Sequence, residues 1–188
     1  NGILIYDIES DPDFQHDFLH GFICIRKSQN GKLSIESSKY INIVSLEKAK
    51  GIDTWVRLKY LLNLYKDWPI LHYGETEFFS ISKLAREQKE NDDYIKELNV
   101  RFIDIHKRIK DNWILPVNNY SLKTVAKWLN FHWSQGNVDG AKALFWWKQY
   151  QSLSISSKGK ELSLNRILTY NKDDCLATLV ITNWLLNN

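Results

Sequence analysis

Asp7 and Glu9 stand two residues apart in an otherwise apolar segment, ILIYDIES, residues 3–10. In an extended strand, residues i and i+2 point to the same face, so the two carboxylates project side by side. Adjacent carboxylates in a poorly hydrated place repel each other and lose hydration, on the order of several kcal/mol unless a cation neutralises them. The chemistry this spacing points to is cation binding. The competing reading ends the strand at Ile8 and leaves both acids in solvent beside Ser10, Asp11 and Asp13.

Two further places repeat the theme. In LHYGETEFF, His72 and Tyr73 close a short apolar run, Gly74 permits a sharp turn, and Glu77 falls in the first turn of the next helix. That position lies at the carboxyl end of the sheet, where α/β sites sit. Glu77 could equally serve the helix dipole alone, and Glu75 is as good a candidate for that role. In TYNKDDCLATLVITNWLL, Tyr170 and Asp174 are four apart and share a helix face with Ala177, Thr178, Ile181 and Leu185, while Asp173 is rotated roughly 100° away. A solvated face explains Asp173. It does not explain a Tyr and an Asp set into an apolar stripe.

The other reactive side chains carry weaker patterns. His16 and His20 have helical spacing but no third ligand for zinc, and His72 reads as structural. Lys123 and Lys127 share one helix face, and Lys107, Arg108 and Lys110 cluster on another, as candidate phosphate contacts. Trp146 is a candidate base-stacking platform, although of two adjacent Trp residues on a helix one is expected in the core and the other at its edge. Cys24 and Cys175 lack metal or redox spacing and fit a reducing cytoplasm.

The elements that must position these groups follow from periodicity. Residues Gly2–Glu9 read as a strand covered on both faces. Gly21–Arg26 and Leu33–Tyr40 read as two more strands, joined through Asn30-Gly31, a preferred pair for a tight hairpin. Ser45 is expected to cap a helix with Trp55, Leu58, Leu61, Leu62 and Tyr65 on one face, with Gly51 a place where it could split. Trp68–Gly74 gives a fourth strand, residues 75–90 a helix, and Val100–Asp104 a fifth strand. Helices are expected over His106–Trp113, Ser121–Leu129, Ala141–Tyr150 and from about Leu162 to Leu186, with Asp104 and Ser121 as caps and loops at Pro116–Tyr120 and Ser152–Lys160. The order predicts an α/β fold: a mixed five-stranded sheet, three antiparallel strands first and then strand-helix units, with helices on both faces.

Length and charge bound the rest. With 188 residues, 44% of them hydrophobic, the chain suffices for one domain and one sizeable core. Twenty-five basic against 22 acidic residues give +3, which excludes a polybasic, histone-like partner of nucleic acid. No apolar run approaches the ~20 residues of a membrane span, so a soluble cytoplasmic protein without membrane partners is expected. The absence of methionine suggests a fragment of a longer chain with further domains.

Taken in order, an acid pair on the first strand, an acid after the fourth, and Y-x-x-x-D on the last helix resemble the tyrosine branch of the DEDD superfamily of RNase H-like 3′–5′ exonucleases. YDIES is similar to its first motif, HYGETE to its second, with Glu77 in the acid position, and YNKDD to its third. The stretches NNYSLKTVAKWLNFHW, DGAKALFWW and ILTYNKDDCLAT resemble the C-terminal RNase H-like domain of bacterial RecB-family nucleases, a group in which Glu commonly replaces the second-motif Asp.

The resemblance implies an RNase H-like fold and two Mg²⁺ or Mn²⁺ ions. Asp7 would bridge them, Glu9 and Asp174 would complete the water-activating site, Glu77 would support the second ion directly or through water, and Tyr170 would orient the attacking water. The implied substrate is single-stranded DNA or RNA. The alternative is a non-catalytic nucleic-acid-binding module that serves a separate nuclease or helicase domain.

Overall fold

In the first strand, β1 (Gly2–Asp11), neighbouring residues divide between two cores. Ile3 and Ile5 enter one and Leu4 and Tyr6 the other, so the strand is apolar on both faces because both faces are covered. The computed structural model describes residues 2–27, 33, 36, 38–46, 51–136 and 138–188. The Asn30-Gly31 turn expected from the sequence lies outside them.

β1 pairs antiparallel with β2 (His16–Arg26), which pairs antiparallel with β3 (Lys39–Val44). The chain then forms α1 (Gly51–Leu64), β4 (Ile70–His72), α2 (Thr76–Glu87), α3 (Asp92–Arg101) and β5 (Phe102–Asp104). It ends in four helices: α4 (Ile105–Asn112), α5 (Leu122–Trp128), α6 (Gly140–Gln151) and the 30-residue α7 (Ser157–Leu186). β4 runs parallel to both β1 and β5, which gives the order β3-β2-β1-β4-β5. This is the mixed five-stranded α/β sheet the sequence predicts.

Helices cover both faces. Ile3, Ile5, Ile23 and Ile25 pack with Ile109 of α4, Val125 of α5, Trp147 of α6 and Ile181 of α7. On the other face Leu4, Tyr6 and Phe22 pack with Leu58 and Leu62 of α1, Ile81 of α2 and Leu98 of α3. The predicted caps of α4 and α5 are present: Asp104 accepts from the Lys107 amide and Ser121 from the Thr124 amide. No helix among the described residues is long and apolar enough to cross a membrane.

Several expectations are corrected. β2 begins at His16, not Gly21, so His16 and His20 lie on a strand rather than a helix; a spacing of four shares a face in either. The third described strand, Lys39–Val44, runs past the predicted end at Tyr40; Leu33 forms an isolated bridge to Lys27, and residues 34, 35 and 37 of the predicted stretch Leu33–Tyr40 lie outside the described ones. The Ser45 hydroxyl lies 3.0 Å from His16 Nε2, and the start of the helix it was expected to cap, residues 47–50, lies outside the described residues. Helix α3, capped by Asn91, was not expected, and it takes Val100 and Arg101 out of the predicted fifth strand.

Candidate active site

Asp7 and Glu9 project from β1 toward α7, on the side of the sheet that carries Ile3 and Ile5. A bulge follows: Glu9 opposes Leu19 but Ser10 opposes Asp17, so the ladder shifts register immediately beyond the acid pair. Across the sheet α7 presents Tyr170, Asn171 and Asp174, all buried. Carboxylate oxygens of Asp7, Glu9 and Asp174 all lie within 4.8 Å of one another, the one such group of three potential ligands among the described residues.

The electrostatics of this group are adverse as it stands. Burial, then the charges of Asp174, Glu9 and Glu77, push the Asp7 carboxyl well above the usual range. Glu9 is raised likewise by burial and Asp174, against the opposing effects of Asn171 and Lys123. Burial pushes Asp174 up to about 6, opposed by hydrogen bonds from Trp133 and Tyr170. Glu9 Oε1 and Glu77 Oε2 are buried and have no hydrogen-bond partner among the described residues. A divalent cation would relieve both the repulsion and the unsatisfied oxygens, and an all-carboxylate donor set fits hard Mg²⁺ or Mn²⁺.

Glu77 comes to the same region from the start of α2 but stands outside the group of three. The turn that delivers it depends on Gly74, whose φ of 121° favours glycine and whose amide is held by Asp104 Oδ1 at 3.1 Å. His72 has the structural role expected of it: Nδ1 lies 2.6 Å from the Gly74 carbonyl, which only accepts, so Nδ1 carries the proton. The same nitrogen is 3.6 Å from Glu77 Oε2. Only 7% exposed, Glu77 is no solvated helix-dipole acid, and the Glu75 side chain makes no capping bond.

Tyr170 is buried beside Asp174, and its hydroxyl bonds that carboxylate. Burial and the surrounding acids push its phenol above its usual range, so it keeps its proton. Lys123 of α5 lies with its ammonium 5.2 Å from the Tyr170 ring centre and 5.8 Å from that of Trp133, and it donates to the Val138 carbonyl. Beside it a hollow of about 240 Å³ is lined by Lys123, Lys127, Trp133, Gly136, Val138 and Asp139.

Other candidates stand apart from this centre. Trp146 and Trp147 are both in the core rather than one at its edge, and the Trp146 ring is packed by Lys142 and Arg166, so it presents no open platform for bases. Lys107 pairs with Asp111 at 3.4 Å on the exposed surface of α4. Asp173, read as solvated, is only 7% exposed and accepts from both the amide and the hydroxyl of Ser134.

Four residues that matter to the geometry were not singled out by sequence reasoning: Asn171, Gly21, Tyr40 and Trp133. Asn171 Nδ2 donates to Asp7 Oδ2 at 2.7 Å, and its Oδ1 accepts from the Tyr40 hydroxyl at 2.8 Å. Trp133 Nε1 donates to Asp174 Oδ1 at 2.6 Å. The one signal available was spacing, since Asn171 is three residues before Asp174 and so shares its helix face.

A family model, RNase_H_2 of the RNase H superfamily, matches residues 4–186, which takes in every carboxylate described above. No curated protein and no solved structure matches the chain.

Proposed function

The chain belongs to the RNase H superfamily, and from that premise we propose that it is a divalent-metal-dependent nuclease, a 3′–5′ exonuclease of the DEDD type acting on single-stranded DNA or RNA. The observation that carries the reading is the convergence of Asp7 and Glu9 with Asp174, remote from them in sequence, to within 4.8 Å, with Glu9 and Asp174 buried and Asp7 partly so.

Asp7, Glu9 and Asp174 would hold one Mg²⁺ or Mn²⁺ ion, and Asp7 and Glu77 would support a second, Glu77 directly or through water. Bound divalent ions supply a nucleophile at neutral pH and charge stabilisation for the attacking and leaving oxygens of phosphodiester hydrolysis. The chain's own residues do the rest. Trp133 donates a hydrogen bond to Asp174 and Asn171 one to Asp7. Tyr170 holds its phenolic proton and orients the attacking water by donating or accepting at its hydroxyl oxygen, since a phenol raised further above its reference near ~10 is a poor base at neutral pH. Lys123 and Lys127, which line the adjoining hollow, offer positive charge to the phosphates of the strand. Two buried, unpaired cysteines, Cys24 and Cys175, support a reducing cytoplasmic setting.

The test is incubation of 5′-labelled single strands with the protein and Mn²⁺. Stepwise shortening from the 3′ end, lost in Asp7→Asn, is the expected result. Internal cuts would replace the exonuclease by an endonuclease. Binding without cleavage would replace the enzyme by a nucleic-acid-binding module.

A further inference from the structure

Gly21 stands opposite Asp7 in the β1–β2 ladder. A Cβ built on it would lie 1.7 Å from Asn171 Oδ1, 2.8 Å from Asn171 Cγ and 3.2 Å from the Tyr40 ring. The bare glycine is therefore a notch, and the amide of Asn171, with no exposure at all, is seated in it. The NH₂ end of the amide, which only donates, faces Asp7, and its oxygen, which only accepts, faces the Tyr40 hydroxyl. A phenol could also accept from a turned amide, but Asp7 would then confront the amide oxygen. The observed arrangement is the one that satisfies all three groups.

From this we propose that Tyr40 and Asn171 form a positioning device for the metal centre: Tyr40, on the edge strand β3, fixes the Asn171 amide, and the amide fixes the carboxylate of Asp7 before an ion arrives. Tyr40 thereby sets the divalent-ion affinity of a site it does not touch. Partners that orient ligands in this way matter nearly as much as the ligands themselves. The inference rests on the metal-dependent reading above and adds to it two residues, on β3 and α7, that act through Asp7.

The test is direct Mn²⁺ binding by the full chain, followed by the electron paramagnetic resonance signal of free Mn²⁺, for the unaltered protein, Tyr40→Phe, Asn171→Leu and the double variant. Asn171→Leu is expected to weaken binding about 10- to 100-fold, the range typical of such orienting partners, and Tyr40→Phe by a smaller factor. The double variant should bind no worse than Asn171→Leu, because Tyr40 acts only through the amide. Excess Mn²⁺ should restore the cleavage rate of Tyr40→Phe, which a merely structural role would not allow.

Unchanged Mn²⁺ affinity in the variants, with or without a lower melting temperature, overturns the inference while leaving the nuclease reading intact. So do additive effects in the double variant. If the unaltered chain binds no Mn²⁺, the metal-dependent reading itself fails, and the inference with it. Should Asn171→Leu not fold, Tyr40→Phe, which removes one hydroxyl from a half-buried ring, decides the matter alone.

Discussion

The indole N–H of Trp133 donates to Asp174 Oδ1 at 2.6 Å, and the next residue, Ser134, holds Asp173 Oδ2 through its amide at 2.8 Å and its hydroxyl at 2.7 Å. One short loop between α5 and α6 thus grips two consecutive acids of α7 that point about 100° apart. Bonds to a carboxylate are among the stronger hydrogen bonds, and these three sort the acids, Asp174 into the cluster with Asp7 and Glu9 and Asp173 into the loop.

Trp133→Phe keeps a ring in contact with Phe131 and Lys123 but removes the N–H. The Trp133 bond lowers the Asp174 pKa, so its loss raises that value further. The acidic limb of the rate profile should move to higher pH, and stability should fall by about 1–3 kcal/mol. Initial rates across pH and thermal melts check both outcomes.

Tyr170→Phe removes the hydroxyl beside Asp174 and leaves every carboxylate in place. Mn²⁺ binding should persist, and the cleavage rate should fall about 100-fold, as expected for lost positioning. Asp7→Asn should lose both binding and rate. A Tyr170→Phe variant as dead as Asp7→Asn would show that the phenol does more than orient water.

Without metal, the acid cluster opposes folding at neutral pH. Asp174 is raised from its ordinary 3.8 to about 6, so between those values the folded chain binds more protons than the unfolded one. The stability associated with this carboxyl is complete below about pH 4 and is lost as pH rises through 6, and Asp7 and Glu9 act in the same sense. The metal-free Asp174→Asn variant should therefore melt higher than the unaltered chain at pH 7.5, by up to about 3 kcal/mol of stability. Its Asn Oδ1 still accepts from Trp133. Melting curves with and without Mn²⁺ at pH 4 and 7.5 check the sign.

Glu77→Gln tests the second ion. Glu77 lies outside the group of Asp7, Glu9 and Asp174, so one Mn²⁺ should still bind, while the stoichiometry measured by calorimetry falls from two to one and cleavage slows. Two ions bound undiminished would remove Glu77 from the centre.

Much of this arrangement was legible in the sequence because it depends on short-range periodicity. Asp7 and Glu9 are read from the period of two in a strand, and Tyr170 and Asp174 from the turn of a helix. The residues that hold them were not legible, because each acts across the fold. Asn171 gains its role from Tyr40, 131 positions away, and from the notch at Gly21, and Trp133 reaches Asp174 over 41 positions. His16 and His20 misled because a spacing of four is common to strand and helix. Helix α3 was hidden because only Ile95 and Leu98 of its ten residues are buried, too few to set a period.

The most direct test is anomalous diffraction at the manganese edge from crystals equilibrated with Mn²⁺. The account predicts a strong peak within bonding distance of Asp7, Glu9 and Asp174. Density for manganese only at other acids, or none between these three, would contradict it.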